Sequence, residues 1–153
     1  MLTNELLLTV HILAVAIWIG AAMALQVIAV RMGPSTHDAV VDRFALDAEV
    51  IGKVLFAPAS VVVLITGVAL VAHEHIRWTS AWILVGFGAL VVTGAVGGAF
   101  LIPEGRRIAE LAREPGHDPA VVRDRARRRL LVARVDLLAL IVAVAAMIFR
   151  PGP

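Results

Sequence analysis

Cysteine is absent from this sequence. That excludes disulfides, thiol chemistry and thiolate metal centres, so any metal site must use histidine, carboxylate, methionine or backbone groups. Lysine occurs once, at Lys53. No Ser-His-Asp set or carboxylate pair of the hydrolase kind can be assembled from the residues present. The Gly97-Gly98 pair is no phosphate loop, because it falls inside an apolar run with no nucleotide-binding unit around it. Internal repeats and low-complexity tails are missing too. The N-terminus lacks the basic n-region of a cleaved signal, and its apolar run exceeds an ordinary h-region, so it reads as a retained first span.

What the chain has in abundance is apolar sequence. Of 153 residues, 60% are hydrophobic, and the mean hydropathy is +0.91. A soluble domain of this length cannot hide that much apolar surface. The apolar residues come in four long runs: Leu6 to Val30, Val54 to Ala72, Ala81 to Ile102 and Leu130 to Phe149. Each provides the roughly 20 residues with which a helix crosses about 30 Å of hydrocarbon. The runs are too long for barrel strands and do not alternate. The expected fold is therefore all-α, a four-helix transmembrane bundle in one domain.

The connections carry helix signals of their own. Ser35-Thr36-His37-Asp38 reads as a capping box, so the second helix should begin before the membrane and enter it near Lys53, with a kink at Pro58. Pro103 ends the third span, and Glu104 to Glu114 reads as its helical continuation, broken at Gly116. Asp118-Pro119 then reads as N-cap and first residue of the last helix. The formal net charge is only +2, yet the placement of charge is lopsided. Arg31, Arg43, Lys53, Arg106, Arg107, Arg113, Arg123, Arg125, Arg127, Arg128, Arg129 and Arg134 lie on one side, twelve of the fourteen basic residues. The positive-inside rule puts that side in the cytoplasm, with helices extended into it, and both termini outside. The run from Arg123 to Arg129 reads as a topology anchor that also meets anionic lipid headgroups. With no recognition fold, a nucleic-acid partner is not expected.

Few residues in the spans are capable of chemistry. His11 lies about two turns into the first span, with Trp18 seven residues on and on the same face. An ionisable group at such depth is a functional candidate, and neutral imidazole is a good ligand for haem iron or copper. The plainer reading is a neutral histidine hydrogen-bonded to a neighbouring helix. His73-Glu74-His75 falls on the same outer side, so His73 or His75 joins His11 as a candidate ligand. Residues two apart point to nearly opposite helix faces, however, and a polar helix end at headgroup level is the favoured reading of the motif. Trp78 and Trp82 read as an interfacial belt. On the inner side, Asp136 sits among Val135, Leu137 and Leu138, and Lys53 and Arg134 are its expected ion-pair partners. A proton- or ion-coupled transporter using Asp136 and Lys53 is the sharper alternative. Gly94 and Gly98 form a small-xxx-small pair for helix packing, within the chain, in a homo-oligomer or in a larger membrane complex.

The first span, Thr9-Val10-His11-Ile12-Leu13-Ala14-Val15-Ala16-Ile17-Trp18-Ile19-Gly20, resembles the opening signature of several bacterial four-helix membrane families. These are uncharacterised small integral membrane proteins, the copper-resistance D domain and HemJ-type protoporphyrinogen oxidases. Gly52 to Leu70, with Pro58 and Gly67, is similar to the second HemJ helix. Phe149-Arg150-Pro151 is similar to the ending of the uncharacterised group, where the chain is placed. The HemJ likeness implies His11 as an axial ligand of haem b. It also implies a lysine after a tryptophan in the third helix, where Trp82-Ile83-Leu84-Val85-Gly86 has glycine instead, which argues against protoporphyrinogen oxidation. A second haem ligand would then be His73, His75 or Met23, or the iron is five-coordinate. The copper-resistance likeness implies His11 with outer histidines and methionines, without the methionine clusters of a Cu(I) route. The expected function is haem b or metal binding at His11 with a redox role in a bacterial inner membrane. The alternative is a non-catalytic accessory subunit packing through its glycine-rich span.

Overall fold

The computed structural model describes residues 2–32, 37–74 and 77–149. Among them every regular element is helical: α1 (Leu2–Arg31), α2 (Asp38–Ile51), α3 (Ala57–His73), α4 (Ala81–Val96), α5 (Ile102–Arg113) and α6 (Pro119–Phe149). Five-residue π-turns, Gly52–Phe56 and Gly97–Leu101, join α2 to α3 and α4 to α5 without a break. Four continuous helices result, each long and apolar enough to cross a membrane. They make the expected all-α four-helix bundle.

The π-turns explain how two prolines sit inside continuous helices. Proline offers no N–H, and its ring collides with the carbonyl four residues back. Pro58 and Pro103 each follow the first residue of a π-turn by six positions, Gly52 and Gly97. In each wide turn the closing bond spans five residues, from the Ala57 N–H to the Gly52 carbonyl and from the Ile102 N–H to the Gly97 carbonyl. Such single π-turns absorb a surplus residue within an α-helix. Pro58 is therefore accommodated by a widened turn, and the helix runs through Pro103 into α5.

Two layers stack along the bundle axis. In the apolar layer α1 packs on α3, α4 packs on α6, and α1 meets α6. The packing order is thus α3, α1, α6, α4, and the bundle is open between α3 and α4, which make at most glancing contact. Helices in lipid gain little from excluding water, so packing and interhelical hydrogen bonds hold this layer. Met147 of α6 lies over Gly86 of α4, where a side chain would obstruct it. Gln26 of α1 donates to the Leu130 carbonyl of α6 at 3.0 Å. At the other end α2, α5 and the start of α6 form a polar-faced layer with its own core of Val41, Ala45, Ile108 and Val122. Burying each such Val or Ile contributes about 1.5–3 kcal/mol where water is the solvent.

The sequence signals at the helix ends are largely realised. The Ala120 N–H donates to Asp118 at 2.9 Å, an N-cap bond. Gly116 has φ of 77°, the left-handed conformation that ends a helix cheaply at glycine. The capping box differs. The helix starts at Asp38, with His37 as N-cap and no side-chain cap bond, while Ser35 and Thr36 lie outside the described residues.

Candidate functional site at His11

His11 sits half-buried on α1, on the face that also buries Ala14 and Trp18. This face meets α3, and there the ring finds its partner. His11 Nδ1 lies 2.8 Å from the Thr66 hydroxyl oxygen. The same hydroxyl lies 2.6 Å from the Val62 carbonyl of its own helix, to which it donates. A hydroxyl has one proton, so Thr66 must accept from His11. That makes Nδ1 the protonated nitrogen of the neutral ring, which also has the Val63 carbonyl as a backbone hydrogen-bond partner, and puts the lone pair on Nε2. Gly67 lies beside the ring, whose edge would be in ordinary contact, 3.4 Å, with a Cβ at that position. Thr66 is buried and Gly67 follows it, so one turn of α3 both holds the ring and borders it.

The other expected ligands are not brought to this point. His73 is seven residues beyond Thr66, about 10 Å along α3, and exposed. Met23 is twelve residues from His11 on the same helix, about 18 Å away. His75 lies outside the described residues. Among the described residues no group of three His, Asp or Glu side chains could hold a metal ion. Among the described residues His11 therefore offers one ring nitrogen with no second side-chain ligand beside it.

The ion pair expected around Asp136 does not form. Lys53 reaches Glu49 at 2.6 Å instead, because the two are four residues apart on one helical face. Arg134 points to the side-chain oxygen of Gln26, at 3.4 Å. Asp136 faces Thr93 of α4, and one of its oxygens is buried without a hydrogen-bond partner. Lys53 and Asp136 are therefore not paired with each other. Among the described residues nothing lies within 4 Å of where a Cβ would stand at Gly94 or Gly98. Trp78 is half-exposed and tilts against Phe87, with ring centroids 5.7 Å apart, as suits an interfacial belt.

The charged end holds contacts that sequence reasoning missed. Glu49 is buried and bound twice, by Lys53 and by Arg113 of α5 at 2.8 Å. His117 donates from Nδ1 to the Glu114 carbonyl at 2.9 Å and approaches Asp42 of α2 at 3.2 Å through Nε2. The Glu114 carbonyl, the largest influence, raises the His117 pKa above its usual value; desolvation, next in size, opposes it, and the Asp42 and Asp38 carboxylates add to the rise. Arg129 lies over Gly105 and donates to the Leu101 carbonyl at 3.0 Å. At the other end of the bundle, Asn4 of α1 donates to Glu74.

The architecture, four apolar helices with one charged end, is that of an integral membrane protein, and a family model agrees over residues 5–151. The chain belongs to the DUF2269 family of predicted integral membrane proteins. No curated protein and no solved structure matches it. Membership in a membrane family described only by its topology agrees with the placement expected from the first span. For this DUF2269 chain the chemistry must be argued from its own residues, and His11 with Thr66 is the most specific arrangement in its apolar layer.

Proposed function

We propose that this protein binds haem b in the membrane, with His11 as the axial ligand, and serves a redox role. The observation that carries the reading is the Thr66 hydroxyl, which accepts from Nδ1 and so puts the ring's lone pair on Nε2. Ligating histidines are held in this way by a partner on the second ring nitrogen, which fixes the tautomer and the ring plane. When bound, haem supplies one-electron chemistry. The chain's own contributions are to orient the imidazole and to keep water from it with Ala14 and Trp18. The likeness of the first span to HemJ-type proteins supports the same residue. The distribution of basic residues supports a bacterial inner membrane, the charged end in the cytoplasm, both termini outside, and contact of the arginine run with anionic headgroups.

The test is an absorption spectrum of the detergent-purified chain, oxidised and dithionite-reduced, beside His11→Ala. A reduced-minus-oxidised haem b signature that His11→Ala abolishes supports the reading. A colourless preparation after haem supplementation overturns it. A second reading, a non-catalytic subunit of a homo-oligomer or larger complex, is favoured by the open space over Gly94 and Gly98. Small residues on a lipid-facing helix let a second backbone approach closely. Recovery from native membranes in a stable assembly that Gly94→Leu disperses would support it.

A further inference from the structure

Three acids of α2 tie that helix to the segment where α5 turns into α6. Glu49 takes Arg113, at the end of α5, at 2.8 Å. Asp42 meets His117, in the turn itself, at 3.2 Å. Asp38 takes Arg123, early in α6, at 2.6 Å. The two arginines keep their charge at any pH a cell offers. His117, the middle tie, is the one base of the three whose charge changes near neutrality.

The position of the His117 ring calls for two protons. The Glu114 carbonyl, 2.9 Å from Nδ1, can only accept, so Nδ1 must carry hydrogen. The Asp42 carboxylate, 3.2 Å from Nε2, also only accepts when ionised, so Nε2 must carry hydrogen as well. Imidazolium satisfies both acceptors. A neutral ring has one N–H and sets a lone pair against the other oxygen. Both side chains are largely shielded from water, at 15% and 19% exposure, so solvent does little to relieve that clash.

The other charged groups around the ring are committed elsewhere. Asp38 is held by Arg123, Glu49 by Arg113 and Lys53, and Asp118 accepts from the Ala120 N–H. Asp42 forms no other ion pair among the described residues. His117 lies in neither helix and follows Gly116, whose φ is 77°, so its ring can turn away without breaking a helical turn. We propose that His117 is a proton-operated latch, its imidazolium closing the α5–α6 turn onto Asp42 of α2 and its neutral ring letting that turn go. The raised pKa of the folded state sets the sense: the latch is closed at the ordinary histidine value of about 6.5 and opens as pH climbs through the higher folded value. The charged layer thereby senses the pH of the compartment it faces. The latch is independent of any ligand at His11.

Pulsed electron paramagnetic resonance on the full chain in detergent tests it. The chain has no cysteine, so spin labels can be placed at Val40→Cys on α2 and Ala120→Cys at the start of α6, both exposed, without background labelling. The expected result is one narrow distance distribution at about pH 6 and a broader one shifted to longer distances at about pH 9. His117→Gln, which cannot titrate, should lose the pH response. Asp42→Asn should lose most of it, because an amide can donate to the neutral ring. Histidine ring-nitrogen NMR, with the His117 signals identified by their loss in His117→Gln, should show both nitrogens protonated at about pH 6. Distances unchanged between the two pH values would overturn the proposal. So would a response that persists in His117→Gln, or a single protonated ring nitrogen at the lower pH.

Discussion

Thr66 holds His11 by giving its only proton away: the hydroxyl donates to Val62 and takes a hydrogen bond from Nδ1 at 2.8 Å. Replacing Thr66 with Val removes that acceptor while keeping the shape of the side chain. Interhelical hydrogen bonds in lipid contribute roughly 0.6–1.7 kcal/mol, so Thr66→Val should destabilise the bundle by about 1 kcal/mol in reversible detergent unfolding. It should also shift the haem b bands without abolishing them, whereas His11→Ala abolishes them. Wild-type spectra and stability in Thr66→Val would remove the assigned tautomer.

The charged end should titrate above the ordinary histidine value. The folded-state pKa of His117 is raised by the Glu114 carbonyl and the Asp42 and Asp38 carboxylates. Its contribution to stability is complete below the unfolded value of about 6.5 and declines as pH rises through the higher folded value. Protection of α2 and α5 amides, corrected for intrinsic exchange, should therefore fall as pH rises from 6 towards 8 and become less pH-dependent in His117→Gln. An identical pH response in the variant would show that another group titrates.

Gly86 reports on the packing of α4 against α6. A Cβ there would collide with the Met147 methyl, the far end of a flexible side chain. Gly86→Ala should thus cost little, since Met147 can swing aside. Gly86→Leu overfills the same space and should cost about 1–3 kcal/mol by thermal unfolding. Equal effects would mean that α4 and α6 separate freely.

Glu49 is buried between two exposed cations, Lys53 and Arg113. Glu49→Ala releases both to water, so the loss is mainly two charge-assisted hydrogen bonds, reduced by solvent screening to about 1–2 kcal/mol. Limited proteolysis should show earlier cleavage in α2 and α5 than in the spans. A cleavage pattern like wild type would make the pair ornamental.

Gly94→Leu meets open space in the chain. Monomer folding should be unchanged, within about 0.5 kcal/mol, as judged by thermal unfolding in detergent at low protein concentration. A large loss there would mean that α4 has a partner inside the monomer.

The spans, the helical extensions and the Asp118 cap were legible because they depend on local signals, hydropathy and capping chemistry. The π-turns were not, because a glycine followed six residues later by a proline reads as a kink or an end until hydrogen bonding is seen. His11 was legible as a lone titratable group in an apolar run. Its partner was legible in kind only, though Thr66, like Thr93, is a rare hydroxyl inside a span. Lys53 went astray for a definite reason. Charge alone pairs it with Asp136, while its helical spacing to Glu49 decides the outcome. The links from Glu49 to Arg113 and from Asp42 to His117 join residues 64 and 75 apart, a separation that no local pattern encodes.

The second helix runs 36 residues from Asp38 to His73. Loss of one residue from an ordinary stretch would swing everything beyond it by about 100° and carry Thr66 away from His11. Loss of one residue from Gly52–Phe56 would instead take out the surplus member of a wide turn and leave the phase beyond it unchanged. The wide turn is thus a phase adjuster: the charged layer can lengthen or shorten by a residue over evolutionary time while the face presented to α1 keeps its bearing.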